Sequence, residues 1–295
     1  MSDISRAEAT WDTIDIAQVR AVAWLSVAPV GTDIWQSFSA GVGPSHFVAS
    51  LLATRRPGDA LAGAALVCGD MQSERAFFEH TPHVTFRSVD GYDLSQASLD
   101  RYTPDAIAWT PHKVDCNDLV LPAAAYDLVV ASHGAHHVRA LANFFAQARQ
   151  SLQPGGLLYM YEWIGPTYLQ IPRRNRVVAT ALLLALFPRR RTRRTHMGRV
   201  KGLRYMQDPP HSFDPSEACN SLELYREYRR NFDPIAEYRH GGLSYPMFEG
   251  IAQNFAQDQP RTRKRLELVV KIEKWLTEKK VIHPLFVVAV GQRTP

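Results

Sequence analysis

Acids, histidines and one glycine recur in this sequence at the ends of short apolar runs, where a strand would hand over to a turn. Val67-Cys68-Gly69-Asp70 closes one run, and a loop of that kind before a helix offers backbone amides to an anionic or carboxylate group. Gly91-Tyr92-Asp93-Leu94-Ser95 closes the next and sets a carboxylate where it can accept from both hydroxyls of a ribose. Asp115-Cys116-Asn117-Asp118 follows a third run, with an acid able to accept from the exocyclic amine of adenine. Ser132-His133-Gly134-Ala135-His136-His137 ends a fourth, and Glu162-Trp163-Ile164-Gly165-Pro166 a fifth. His133 and Glu162 are the titratable pair that adjacent strand ends would bring to one mouth. They are the candidate general bases if a proton must leave an acceptor.

His133, His136 and His137 also invite a metal, because histidines at i and i+4 can share a helical face. No cysteine lies nearby as a further ligand, so no metal is expected here. His136 or His137 reads as packing, and His133 as a pocket residue.

These residues need a parallel sheet to gather them, since ligands bind beyond the carboxyl ends of such strands, where strand order reverses. From Asp59 to Gly165 apolar runs alternate with helical stretches, the signature of successive βαβ units. Strands are expected at 64–68, 85–92, 113–115, 126–132 and 157–162, with helices at 73–79, 96–101 and 141–152. The last helix stops at Gln153-Pro154-Gly155-Gly156. A charged helix over 261–280 precedes an apolar, β-branched run at 283–290 that can return to the sheet. The division that follows is 1–58 as an N-terminal helical lid, 59–166 as the core, 167–259 as a mostly helical cap inserted after the fifth strand, and 260–295 as the last helix and strand. Trp11, Trp24, Trp35 and Phe47 anchor the lid.

The chain has 295 residues, 45% hydrophobic and 21% charged, with three cysteines, which excludes a disulfide framework and a four-cysteine zinc site. Met1-Ser2-Asp3-Ile4 opens no apolar signal core, and the longest apolar stretch, 177–188, is about half of what a spanning helix needs. A cytoplasmic protein with no membrane span is expected. Of 34 Lys and Arg, eleven lie between Arg173 and Arg204 with no acid among them, and elsewhere 23 bases face 29 acids. This segment reads as the solvated ends of a cap helix, a grip on an acidic ligand, or a nucleic-acid patch. The last is disfavoured because no aromatic residue is interleaved with the arginines between Arg189 and Lys201.

The segments GYDLS, YDLVVASHGAHHV and ANFFAQARQSLQPGGLLYMYEWIGP resemble, in order and spacing, the class I S-adenosylmethionine-dependent methyltransferases. The likeness covers about 60–166. Further on, DPSEACNSLELYREYRRNF and YRHGGLSYPMFEGIAQNF resemble a bacterial small-molecule branch of that family. The resemblance implies an α/β, Rossmann-like, mostly parallel seven-stranded sheet and S-adenosylmethionine as cofactor. Asp93 would take the ribose, Asp115 and Cys116 the adenine and Gly69 the methionine moiety, with Asp70, Leu94 and Ser132 beside them. The family's first loop usually reads G-x-G-x-G. Here Cys68-Gly69-Asp70-Met71-Gln72-Ser73-Glu74 lacks two glycines and reads as shortened. Asp208-Pro209-Pro210-His211 mimics a base-methylating signature but lies far beyond the fourth strand and is taken as a decoy.

The resulting expectation is methyl transfer to a nitrogen, oxygen or sulfur of a small polar metabolite that carries a carboxylate, methionine being one candidate. Trp163, Tyr168, Arg173, Arg174, His240 and Tyr245 would bind it. The alternatives are an RNA methyltransferase using the arginine segment, and a cofactor-binding protein that transfers no methyl. Oligomeric state is not legible.

Overall fold

The computed structural model describes residues 8–9, 12, 23–79, 81–104, 106–188, 214–255 and 259–293. Arg189 to Arg204 and the Asp208 to His211 segment lie outside them. Strands β1 (Ala60–Leu66), β2 (Thr85–Asp93), β3 (Ala108–Lys113), β4 (Tyr126–Ser132), β5 (Leu152–Trp163), β6 (Phe232–His240) and β7 (Phe286–Arg293) form one sheet in the order β3-β2-β1-β4-β5-β7-β6. The first five run parallel, and β7 lies antiparallel to both β5 and β6. The order reverses between β1 and β4, which makes the carboxyl ends of those two strands the expected crevice.

Helices cover both faces: α1 (Ala28–Ser39), α2 (Pro44–Arg55), α3 (Arg75–Phe78), α4 (Gln96–Leu99), α5 (Leu141–Ser151), α6 (Arg173–Leu186), α7 (Ser221–Asn231), α8 (Ser244–Phe248) and α9 (Pro260–Glu278). Such a sheet demands strands apolar on both sides, and β4 is buried from end to end. Alternation along β5 divides its side chains between two cores. Tyr159, Tyr161 and Trp163 join Ile34, Phe38, Leu52 and Phe77 on one face. Leu158 and Met160 join Phe144, Phe145, Leu224 and Tyr228 on the other. Each large apolar side chain so buried contributes about 1.5–3 kcal/mol.

Three expectations change. The segment 167–259 is not all helical cap, because Phe232–His240 is an edge strand of the sheet. Its sequence, with Asp233, Pro234, Glu237 and Arg239, hides an apolar period, and Pro234 sits where the register with β7 shifts, as edge strands tolerate. The N-terminal helices are a layer of the core: α1 packs on α9 and β6, and α2 on α3 and β5. The third strand runs through Ala108–Lys113, ahead of 113–115, and Thr110-Pro111 mark it as the opposite edge. Among the described residues no helix is long and apolar enough to cross a membrane.

Candidate functional site

At the carboxyl end of β1 the backbone turns left-handed at every second residue, with φ of 52° at Val67, 52° at Gly69 and 61° at Met71. Positive φ thus recurs at the two-residue spacing of G-x-G-x-G, although only the middle residue is glycine. For a residue with a Cβ that backbone costs about 1–2 kcal/mol. Packing must hold it: Met71 is fully buried, and the Val67 amide donates to Tyr92 O at 2.8 Å. A Cβ on Gly69 would meet nothing within 4 Å, so this residue faces open space.

Asp93 ends β2 against that loop. Its Oδ2 accepts the Gly69 amide at 2.8 Å and its Oδ1 the Ser95 amide at 2.8 Å, and each oxygen keeps a further lone pair. Burial raises its pKa, against the opposing pull of the Ser95, Gly69 and Leu94 amides. After β3, Asp115 Oδ1 accepts from Asn117 N at 2.9 Å and Nδ2 at 2.7 Å. Asn117 Oδ1 in turn accepts the Arg139 and Ala140 amides at 2.8 and 3.2 Å and so braces the start of α5. The Cys68 and Cys116 thiols both point at Tyr92 O, at 3.9 and 4.0 Å, and burial pushes the Cys116 thiol up to about 12. Asp70 turns back onto Gln72, whose Nε2 it accepts at 2.7 Å. Leu94 is half-buried and Ser132, the last residue of β4, is buried.

The crevice between β1 and β4 is narrow. A Cβ on Gly134 would lie 2.6 Å from Val67 Cβ and 2.5 Å from Val67 O, so only glycine fits there, and the Val67 side chain rests on it.

Glu162 has a different role from the expected base. It is fully buried, its Oε1 accepts the Gly134 and Ala135 amides at 2.8 and 2.7 Å, and its Oε2 meets His136 Nδ1 at 2.7 Å. Burial alone would raise its pKa, but His136, His133 and the Ala135 amide hold it below the usual carboxylate range. Burial opposes a charge on His136, yet Glu162 and Glu217 push it up to about 10. His133 is exposed at the mouth with φ of 60°, its amide donates to Tyr161 O at 2.8 Å, and its ring lies 4.4 Å from that of Tyr161.

Beyond β5, β7 and β6 a cluster of rings forms. Trp24 lies 5.5 Å from His240, 6.1 Å from Tyr245 and 5.2 Å from Phe286, measured between ring centroids. Trp163 stands 5.3 Å from Tyr245, and Tyr161 5.5 Å from His240. His240 is 2% exposed, yet among the described residues neither ring nitrogen has a hydrogen-bond partner, nor does the buried Tyr161 hydroxyl. Burial, aided by His133, pushes the His240 pKa down to about 3, so the ring is neutral. Of the residues expected around a substrate, Trp163, His240 and Tyr245 meet here. Tyr168 is 39% exposed, and Arg173 and Arg174 are exposed at the start of α6. Sequence reasoning missed Tyr161 and Phe286. The alternation Tyr159, Tyr161, Trp163 was the available signal for the former.

Residues 66–160, from the end of β1 through most of β5, match a family model described as a methyltransferase domain. Over that stretch the sequence matches a methyltransferase domain, for which S-adenosylmethionine is the cofactor implied. The residues fit that group: Gly69 opens onto free space beside Asp93, whose oxygens retain lone pairs for two hydroxyls. No curated protein matches the sequence. Among solved structures, an S-adenosylmethionine-dependent methyltransferase from Mesorhizobium loti is 19% identical, with 85% of this chain and 99% of that one covered and a TM-score of 0.43. A geranyl diphosphate C-methyltransferase from Streptomyces coelicolor is 13% identical over 100% and 98%, with a TM-score of 0.47. A cyclopropane synthase from Mycobacterium tuberculosis is 14% identical over 98% and 98%, with a TM-score of 0.48.

Replacing Val67 by glycine removes both a strained left-handed valine and the side chain resting on Gly134. Val67→Gly is expected to leave folding stability within about 1 kcal/mol, strain relief offsetting the entropy of glycine. Affinity for S-adenosylhomocysteine, measured by calorimetry, should rise about tenfold. A loss of affinity in a folded variant would show that the valine belongs to the binding surface.

Proposed function

We propose that this protein transfers the sulfonium methyl of S-adenosylmethionine to a nitrogen or oxygen of a small polar metabolite received by the ring cluster. The observation that carries this reading is the pair of buried polar groups on His240 and Tyr161 that have no hydrogen-bond partner among the described residues. Buried polar atoms are normally partnered, and an orphaned one costs about 1–3 kcal/mol. A neutral imidazole offers one donor and one acceptor, and the phenol offers both, so a hydroxyl or amine of a metabolite would recover that cost. The surrounding rings of Trp24, Trp163, Tyr245 and Phe286 would enclose its apolar part.

Asp93, Gly69, Asp115, Cys116 and Ser132 are the residues that would hold the cofactor. When bound, it supplies an electrophilic methyl group for an in-line displacement. The chain then has to set the acceptor at near-attack distance and exclude water, tasks suited to a buried aromatic cluster. His133, exposed at the mouth with its ring tilted against that of Tyr161, is the candidate to accept a proton from the acceptor. Glu162, buried and bonded to the Gly134 and Ala135 amides, positions the loop that carries His133.

Asp93→Ala removes a charge-assisted acceptor and should weaken S-adenosylhomocysteine binding about tenfold or more in calorimetry. Unchanged affinity in a folded variant would remove Asp93 from the site. His240→Phe and Tyr161→Phe keep the rings and delete the orphaned atoms. Both should retain or gain stability and retain cofactor affinity, while transfer of labelled methyl from S-adenosylmethionine into a metabolite extract falls about tenfold. A variant that loses stability, or transfers methyl at the wild-type rate, would contradict the assignment.

A further inference from the structure

We infer that His136, His137 and Glu217 form a binding site for a divalent transition-metal ion, independent of the cofactor crevice. From sequence no metal is expected, because His133 and His137 share a helical spacing but no cysteine lies nearby to complete a set. The third donor comes instead from a segment 80 residues downstream of His137. His136 Nε2 lies 3.3 Å from Glu217 Oε1 and His137 Nε2 lies 3.9 Å from Glu217 Oε2, and one donor atom from each of the three residues can be chosen within 4.8 Å of the others. Tetrahedral bonds of about 2.0–2.1 Å place donors about 3.3–3.4 Å apart, so small side-chain movements would close the set. Two imidazoles and one carboxylate suit zinc, iron(II) or cobalt(II) better than the hard ions magnesium and calcium.

Both rings are already oriented by outer partners, as metal-ligating histidines characteristically are. His136 Nδ1 is held by Glu162 Oε2 at 2.7 Å, and Glu162 is itself fixed by two backbone amides. His137 Nδ1 lies 2.9 Å from Ser216 Oγ and 3.4 Å from Asp214 Oδ2, and the Ser216 hydroxyl donates to Asp214 Oδ1 at 2.7 Å. Each imidazole thus spends Nδ1 on a supporting group and turns Nε2 toward Glu217. Three carboxylates, Glu162, Asp214 and Glu217, gather around the two rings, two of them fully buried, and a divalent ion would supply positive charge where protons on the rings otherwise must.

The site also has an open side. The Glu217 side chain is 26% exposed, and three protein donors leave a coordination position for water or a ligand oxygen. Its placement is firm: the Tyr168 amide donates to Ala218 O at 3.0 Å and Ser221 Oγ donates to Gly165 O at 2.9 Å, tying the 214–221 segment to the loop after β5.

The test uses the full chain, stripped with a chelator and titrated with cobalt(II). One equivalent should bind and give the visible d–d absorption of a low-coordinate site, and zinc should displace it. His137→Ala and Glu217→Gln, checked for folding by circular dichroism, should each lower cobalt affinity at least a hundredfold, whereas Asp93→Ala should leave it unchanged. Absence of one-equivalent binding in the wild type, or wild-type cobalt affinity in both folded ligand variants, would overturn the site. Neither result depends on methyl transfer, since S-adenosylhomocysteine binding is measured separately.

Discussion

The carboxylate of Glu162 is the constraint on which this site depends. Placing an ion in a fully buried position costs several kcal/mol, and that cost is offset only by partners with good geometry. Here the partners are the Gly134 and Ala135 amides and the His136 ring, charge-assisted bonds worth about 1.5–3 kcal/mol each. Their cooperation fixes the turn after β4. That turn carries Gly134 against Val67, lifts His133 into a left-handed conformation beside Tyr161, and aims His136 and His137 at Glu217. One buried acid thus sets the cofactor crevice, the mouth of the ring cluster and the histidine pair together.

The crevice shows how a loop keeps its path while losing its characteristic residues. Glycine is the usual choice where φ is positive because it carries no Cβ, but packing and hydrogen bonds can impose the same backbone on valine and methionine. Met71 is held in the core, and Val67 is held by Tyr92 O and Gly134. What changes is the space: a glycine at Val67 would leave the β1–β4 crevice open, and the valine side chain fills part of it. Gly69, the residue nearest Asp93, keeps its open side.

Much of this was legible in the sequence because a parallel sheet writes itself as continuous apolar runs. The ends of β4 and the acid closing β2 followed from those runs, and the helix before Gln153-Pro154-Gly155 followed from its stop signal. β6 did not, because an edge strand exposed on one side carries Pro234 and charged residues that leave no periodic pattern. The role of Glu162 was misread as a base because sequence shows a residue's type but not how many of its lone pairs are already taken. The ring cluster was half legible. His240 and Tyr245 were singled out, but Tyr161 and Phe286 join them only through the register of antiparallel β7 on β5. Glu217 could not be joined to the histidines, because nothing local links positions so far apart in the chain.

The central claim is that a left-handed but glycine-poor loop and Asp93 still form a cofactor site at the β1–β4 crevice. The most direct measurement is a crystal structure grown with S-adenosylhomocysteine. The account predicts the ribose hydroxyls within hydrogen-bonding distance of Asp93, the chain passing Gly69, and the Val67 side chain turned off Gly134. A nucleoside bound elsewhere on the protein, or none bound while Val67 stays on Gly134, would contradict it.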